Sequence, residues 1–165
     1  NRRQNKGRKQ ERPMGDGQLL IRPMEERDIA QAARIEAESF STPWSAEAFR
    51  KSLALDYTIF LTAEWEGRVA GYCGCYVSLE EAEITNVAVK EEFRGRGIAR
   101  ALLLELLRQG EARGAKAFLL EVRAGNAPAI RLYEGLGFER EGLRRNFYEQ
   151  PREDALVMWK RFPAL

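Results

Sequence analysis

The sequence predicts a single domain of the mixed α/β class. Strand-like and helix-like segments alternate along the chain, and no internal repeat or linker interrupts them after residue 18. A length of 165 residues suits one domain that buries roughly 70% of its unfolded surface. Hydrophobic residues make up 44% of the chain and charged residues 32%, which is typical of a globular protein. We therefore expect one folded domain over residues 19–165.

The first half of this domain begins with a strand that Pro23 closes. Asp28 is expected to cap the first helix, whose apolar stripe is Ile29, Ala32, Ala33 and Ile35. An aromatic turn over residues 40–45 leads to the second helix, and the turn Glu66-Gly67 joins two strands as a hairpin. The expected helices follow Asp28 and lie near residues 46–53, and the expected strands are Leu19–Arg22, 57–64, 69–78 and 83–89.

The second half contains a long helix that Gly114 ends, with a buried stripe at i, i+3, i+4 and i+7. Asn126 caps a further helix, Pro128 lies in its first turn and Gly137 ends it. The long-helix stripe is Ala99, Leu102, Leu103 and Leu106, and that of the later helix is Ala129, Leu132, Tyr133 and Leu136. The remaining strands are expected over residues 117–123, 138–148 and 155–160.

Two glycines open the long helix and mark a candidate anion site. The run Arg94-Gly95-Arg96-Gly97-Ile98-Ala99-Arg100 follows the strand end Val87-Ala88-Val89. Glycine lets a backbone approach a ligand closely, and the first turn of a helix offers unpaired N–H groups to a phosphate. Three arginines add positive charge at the same place. Because the loop has neither a P-loop ending nor a third dinucleotide-type glycine, we expect a pyrophosphate carrier other than ATP or NAD, or an ordinary strand–helix turn.

Composition excludes several classes of function. The chain contains no histidine, which removes Ser-His-Asp and Cys-His catalysis and the commonest metal ligand. Cys73 and Cys75 are the only cysteines, so no four-thiolate zinc site is available, and we expect no metal. On one strand face they are poorly placed to bridge each other, so reduced packing residues are favoured over a nucleophilic role.

The location expected from the sequence is the cytoplasm. No apolar run reaches the ~18 residues of a membrane span, and the basic start lacks the apolar core of a signal peptide. Residues 1–18 carry a net charge of +4, whereas the whole chain carries +2, and they contain almost no apolar residue. We expect this tail to be disordered, either as a solubilising segment or in contact with nucleic acid.

Several of these motifs resemble those of the GNAT N-acetyltransferases. Arg94-x-x-Gly97-x-Ala99 is similar to the acetyl-CoA pyrophosphate loop of that family, and the pattern over residues 126–138 is similar to its second signature. The segments 120–126, 144–148 and 152–155 resemble one branch, the RimI group of ribosomal-protein-alanine N-acetyltransferases. Phe147 departs from that branch, where a second tyrosine is common. The resemblance covers residues 19–162.

The resemblance implies a central, mostly antiparallel mixed sheet of six to seven strands with about four helices, splayed as a V between its fourth and fifth strands. It implies acetyl-CoA as cosubstrate and transfer to a protein N-terminal α-amine, with the alanine of small-subunit ribosomal protein 18 as the leading substrate. It assigns Glu121 as general base and Tyr133 as general acid. The implied acetyl-CoA contacts are Val87, Ala88, Val89, Arg94, Gly95, Arg96, Gly97, Ile98, Ala99, Arg100 and Asn126, and the candidate acceptor contacts are Phe40, Trp44 and Tyr148.

The residues themselves suit this chemistry, although each also has a structural interpretation. Glu121 lies on an apolar strand, where removal from water favours the uncharged acid and so proton uptake; alternatively, it pairs with Arg123. Tyr133 can protonate a departing thiolate, or it is a packing ring on the helix stripe. Asn126 is a helix cap, which is compatible with a cofactor contact. The N–H groups of residues 87–89 would bind the pantetheine arm as an added strand does, and that of Val89 would stabilise the oxyanion.

Three hypotheses follow from the sequence. The first is an acetyltransferase of a protein N-terminal α-amine, and the second is a GNAT enzyme for a small amine or a lysine side chain. The third is a non-catalytic module that binds CoA or associates with RNA through the basic tail. The presence of both Glu121 and Tyr133 disfavours the third, and segments 144–148 and 153–155 favour the first over the second.

Overall fold

The computed structural model describes residues 18–163, so the expected tail lies outside the described residues except for Gln18. The predicted elements are confirmed, with bounds shifted by at most three residues. The strands are β1 (Leu19–Pro23), β2 (Thr58–Trp65), β3 (Arg68–Ser78), β4 (Glu81–Val89), β5 (Ala117–Arg123), β6 (Glu139–Glu149) and β7 (Arg152–Arg161); the helices are α1 (Ile29–Ser39), α2 (Ala46–Leu53), α3 (Ile98–Ala112) and α4 (Ala127–Gly135).

The seven strands form one mixed sheet in the order β1-β2-β3-β4-β5-β7-β6. All neighbours are antiparallel except β4 and β5, which run parallel. The β4–β5 ladder pairs only Glu81–Glu83 with Ala117–Leu119, and the two strands then separate. This separation is the V-shaped splay that the sequence resemblance implied.

The sheet is covered on both faces. On one face, Leu102, Leu103 and Leu106 of α3 are fully buried, which confirms the stripe predicted for that helix. On the other face, α1 and α2 pack Ile29, Phe49 and neighbouring side chains on the sheet. Within residues 18–163 no helix is long and apolar enough to cross a membrane.

Both cysteines are free and fully buried beneath α3, as expected of packing residues. Burial raises the pKa of Cys75 to about 12, and it raises the pKa of Cys73 well above its ordinary value. A thiolate is the nucleophilic form of cysteine, and burial disfavours it at both positions.

One local prediction was wrong, and another needs one residue added. The Asp28 side chain does not cap α1; it accepts two hydrogen bonds from Arg22, at 2.6 and 2.8 Å, because the Arg22 guanidinium competes successfully for its oxygens. In α4 the best-buried residue is Ile130, whereas Ala129, Leu132 and Tyr133 are only partly buried. The predicted α4 stripe is nevertheless confirmed: Ala129, Leu132 and Tyr133 pack against the core, and Leu136 just after the helix is buried.

Candidate active site

A cleft opens where β4 and β5 separate, and it encloses a cavity of about 490 Å³. Residues 84–87 of β4 form one wall and residues 120–123 of β5 form the other. The start of α4, the loop between α1 and α2 (residues 40–45, the α1–α2 loop) and the turn at residues 150–151 (the β6–β7 turn) complete the lining. The cleft is thus a direct consequence of the short parallel ladder.

The glycine loop follows the end of β4 and leaves backbone N–H groups open. Gly95 and Gly97 have φ angles of 80° and 76°, which side-chain-bearing residues rarely adopt, and a Cβ at either would meet no atom within 4 Å. Ala101 is the first residue of α3 whose N–H reaches an earlier carbonyl, that of Gly97 at 3.0 Å. The N–H groups of residues 98–100 therefore point out of the helix end, where its dipole favours an anion.

We expected the three arginines of this loop to add positive charge at one place, but their guanidinium groups point in different directions. Arg94 donates to the Val89 carbonyl at 3.0 Å, and Arg96 lies over the ring of Trp65 at 4.9 Å. Arg100 extends towards Gly135 at the end of α4. Aromatic and carbonyl groups within reach draw these guanidinium groups apart, so the backbone and the helix dipole remain the shared feature of the loop.

The free edge of β4 faces the cleft. Lys90 donates its N–H to Ala70 of β3 at 2.7 Å, and in an antiparallel ladder every second residue points the same way. The N–H of Ala88 therefore also points towards β3, whereas those of Val87 and Val89 point towards the splay. Of the three expected backbone donors, the N–H groups of Val87 and Val89 are therefore open to a ligand strand, whereas that of Ala88 is used within the sheet.

Glu121 lies on the β5 wall with its side chain 18% exposed. Its Oε1 accepts a hydrogen bond from Arg144 of β6 at 2.6 Å. The alternative partner suggested by the sequence, Arg123, instead pairs with Glu153 of β7. The contact between Glu121 and Arg144 was not evident from the sequence, because β7 lies between β5 and β6 in the sheet.

Tyr133 lines the cleft from α4, and its hydroxyl has no hydrogen-bond partner within residues 18–163. Burial raises its pKa above the ordinary value, with smaller contributions from Cys73 and Tyr148. Asn126 caps α4 through a hydrogen bond from the Ala129 N–H at 3.3 Å, as predicted, and also lines the cleft. The structure thus brings Glu121, Tyr133 and Asn126 to one cavity.

The three candidate acceptor contacts lie around the same cavity. Phe40 is 42% exposed on the α1–α2 loop, and Trp44 on that loop packs against Phe49, with ring centroids 5.4 Å apart. Tyr148 lines the opposite side under the Arg123 guanidinium, 4.3 Å from its ring centroid, and burial raises its pKa.

Sequence reasoning missed a buried polar group in the cleft lining. The Oε1 atom of Glu36 accepts hydrogen bonds from Tyr72 at 2.8 Å and from Asn86 at 3.0 Å, and Glu36 is only 2% exposed. A charged residue on the apolar stripe of α1, next to Ile35, was the available signal. Asn86 reaches Glu36 because Thr85 forms a bulge in β4, a feature that strand alternation does not predict.

No group of three or more acidic, histidine or cysteine side chains within residues 18–163 is placed to hold a metal ion. The acidic and phenolic side chains that line the cleft are Glu36, Glu121, Tyr133 and Tyr148.

Comparison with known proteins agrees with this arrangement. Residues 29–138 match the acetyltransferase (GNAT) family. The chain is 39% identical over 140 residues to the [ribosomal protein bS18]-alanine N-acetyltransferase of Escherichia coli K12, covering 84% of this chain and 94% of that protein. It is 41% identical over 134 residues to the enzyme of that name from Salmonella typhimurium, covering 79% and 89%. The crystal structure of the E. coli ribosomal-protein-S18-alanine N-acetyltransferase superposes with a TM-score of 0.81 at 35% identity, covering 89% and 96%.

Proposed function

The chain belongs to the acetyltransferase (GNAT) family, whose acetyl donor is acetyl-CoA, and we propose that it acetylates the α-amine of a protein N-terminus. The proposed substrate is the N-terminal alanine of ribosomal protein bS18, the protein named for its relatives from E. coli and Salmonella. A ribosomal substrate would place the reaction in the cytoplasm.

One observation carries this proposal. The chain is 39% identical, over 84% of its length, to the alanine N-acetyltransferase of E. coli. This likeness is supported by a carboxylate and a phenol that line the cleft between β4 and β5. Glu121 on β5 and Tyr133 on α4 are the two groups with acid–base chemistry that the sequence singled out. An acetyl transfer by direct attack needs a base for the amine and an acid for the leaving thiolate.

Acetyl-CoA supplies a thioester carbonyl and a thiolate leaving group when it is bound. The groups suited to hold it are the N–H groups of Val87 and Val89, which face the splay, and the N–H groups at the glycine loop and the start of α3. The open space above Gly95 and Gly97 fits a pyrophosphate that approaches the backbone. Asn126 at the start of α4 is a further candidate contact.

We assign Glu121 the task of taking a proton from the incoming ammonium group, directly or through one water. An α-amino group has an ordinary pKa of about 8, so a weak base suffices near neutral pH. We assign Tyr133 the task of donating the hydroxyl proton to the sulfur, since burial keeps that hydroxyl protonated. We assign the N–H of Val89 the task of supporting negative charge on the carbonyl oxygen.

A peptide panel with acetyl-CoA tests the proposal. One peptide matches the N-terminus of bS18 from the source organism, and others replace its first residue with serine, methionine or glutamate. Two controls carry either an already acetylated α-amine or a blocked N-terminus with a free lysine side chain. Acetylation of the alanine peptide in preference to the others is the expected result. Acetylation of the blocked lysine peptide alone would assign the enzyme to side-chain amines instead.

A further inference from the structure

Arg123 joins two segments of the cleft wall that are distant in sequence. Its Nη2 atom donates to Ser41 Oγ at 3.1 Å on the α1–α2 loop and to the Gln150 carbonyl at 3.0 Å on the β6–β7 turn. Its Nη1 atom donates to the Pro151 carbonyl at 2.8 Å and to Glu153 at 3.3 Å. The guanidinium also stacks on Tyr148. One side chain of β5 therefore contacts both flanks of the cleft.

These contacts occupy the guanidinium. Its two terminal nitrogens carry four N–H groups, and the four acceptors above account for them. The side chain is 24% exposed, so most of it is removed from solvent. A guanidinium whose four terminal N–H groups are all engaged within the protein is suited to hold its neighbours in place.

The α1–α2 loop depends on such side-chain contacts. Within residues 18–163, no backbone–backbone hydrogen bond involves residues 41–44. The loop is also held by a long bond of 3.4 Å from the Trp44 N–H to Glu36 and by the packing of the Trp44 ring on Phe49, Phe60 and Tyr76. Phe40 and Trp44, the candidate acceptor contacts, lie on either side of Ser41.

We propose that Arg123 is a positioning residue for the acceptor: it holds the α1–α2 loop and the β6–β7 turn at the separation that admits an extended N-terminus between them. This inference rests on the proposed function, because it concerns how a polypeptide amine is directed to Glu121. Glu121 is two residues before Arg123 on β5, and side chains two apart on a strand share a face. Positioning by Arg123 therefore acts next to the group assigned as base.

Steady-state kinetics of Arg123→Ala and Arg123→Lys with an alanine peptide test the proposal. We expect KM for the peptide to rise about tenfold or more, the scale of losing charge-assisted hydrogen bonds, while the Kd for acetyl-CoA stays unchanged. Lysine cannot reproduce the forked contacts, so Arg123→Lys should not recover the peptide KM. Added guanidinium ion should partly restore it in Arg123→Ala, and added ammonium ion should not. A purely structural residue would instead lower the melting temperature and leave the peptide KM unchanged, which would overturn the proposal.

A double-mutant cycle with Ser41→Ala isolates the contact to the loop. Ser41→Ala should raise the peptide KM alone but add nothing in the Arg123→Ala background. Ser45→Ala, which removes the cap of α2 on the same loop, is the matched control for lost stability and should show no such coupling. Additive effects of Ser41→Ala and Arg123→Ala would overturn the proposal even where Arg123→Ala folds poorly. A wild type that ignores alanine peptides would contradict the proposed function. Arg123 would then be judged by faster hydrogen exchange, in Arg123→Ala, of the Phe40 and Trp44 N–H groups, which bond to Glu36 and tie the α1–α2 loop to α1. Unchanged exchange at both would reject the proposal.

Discussion

Glu121 enters the cleft with one of its oxygens already engaged. Arg144 reaches across β7 from β6 and fixes Oε1, whereas Oε2 has no partner within residues 18–163. An ion pair between a largely buried and an exposed side chain is worth little as stability, but it restricts the direction of the carboxylate. The unengaged oxygen is then available to an ammonium group or a relay water.

We expect Glu121→Gln to bind acetyl-CoA normally and to lose most activity at neutral pH, about 10²-fold or more in kcat/KM, since glutamine cannot take up a proton. Activity should recover partly as pH rises above about 8, where solvent deprotonates more of the amine and less help is needed. Rates across pH 6.5–9.5 measure both effects. Glu141→Gln, which removes an acidic partner of Arg161 away from the cleft, is the control. A wild-type pH profile in Glu121→Gln would make this carboxylate structural.

Tyr133→Phe separates the hydroxyl from the packing ring. The ring packs against Phe138 with centroids 5.9 Å apart, and phenylalanine retains that contact. If the hydroxyl is the acid, turnover falls about 10²-fold, the scale of one acid–base group, with acetyl-CoA affinity unchanged. Because burial raises the pKa of Tyr133, no loss of wild-type activity should arise from its ionisation below pH 10. Wild-type turnover in a folded Tyr133→Phe enzyme would leave only the packing role.

At the scale of elements, the glycine loop offers its backbone because Gly97 adopts a positive φ at the start of α3. Gly97→Val should reduce acetyl-CoA affinity strongly, because a β-branched residue disfavours that conformation and its side chain enters the space open to a pyrophosphate. Calorimetric titration measures the loss. Gly114→Val is the matched control: Gly114 also has a positive φ and open space around a Cβ, at the opposite end of α3. It should lower stability and leave acetyl-CoA binding intact.

The same loop predicts which parts of the cofactor compete. CoA and dephospho-CoA should displace acetyl-CoA from the wild-type enzyme with similar affinity, because both carry the pyrophosphate. Pantetheine lacks it and should compete far less well. Equal affinities for pantetheine and CoA would reduce the run Arg94–Arg100 to a strand–helix turn and remove the cofactor assignment made for it.

Local patterns predicted the order of elements but not every side-chain partner. The stripe of α3 follows from helical spacing alone, since Leu102, Leu103 and Leu106 contact the sheet directly. The partner of Glu121 depends instead on strand order, which places Arg144 within reach and directs Arg123 to Glu153. Partners set by sheet topology are not encoded in the spacing of a single strand.

The bulge in β4 shows the same limit for the site itself. Regular alternation would put Ile84 and Asn86 on one face, but the extra residue Thr85 puts them on opposite faces. Ile84 then joins the core under α3, and Asn86 reaches Glu36 of α1. The candidate acid, base and glycine loop could be proposed from the sequence because each lies in a local motif, whereas the buried pair of Asn86 and Glu36 depends on an irregularity of the sheet.

The whole molecule keeps several ionisable groups out of water. Cys73 and Cys75 of β3 lie beneath α3, and Tyr72 of the same strand lies beneath α1 and α2 with its hydroxyl on Glu36. Burial raises the pKa of all three. Each must stay protonated in the folded protein, but each is free to ionise once the chain unfolds. Global stability is therefore coupled to alkaline pH.

The sign of this coupling gives a prediction for unfolding. Below about pH 8.5 the thiols are protonated in both states, and their protonation costs no stability. Above it the unfolded thiols lose protons while the folded ones keep theirs, up to about pH 12 for Cys75. Above pH 8.5 the free energy of unfolding should fall by up to about 1.4 kcal/mol per pH unit for each thiol, or about 4 kcal/mol between neutral pH and pH 10 for the pair. Urea unfolding under reducing conditions measures it. The Cys73→Ala, Cys75→Ala double variant should be less stable at pH 7.5 because of the cavities left. It should nevertheless lose most of the decline up to about pH 9.5, since tyrosine, with an ordinary pKa of about 10, ionises mainly above that range. An equally steep decline in both proteins would mean that groups other than these thiols set the alkaline limit of the fold.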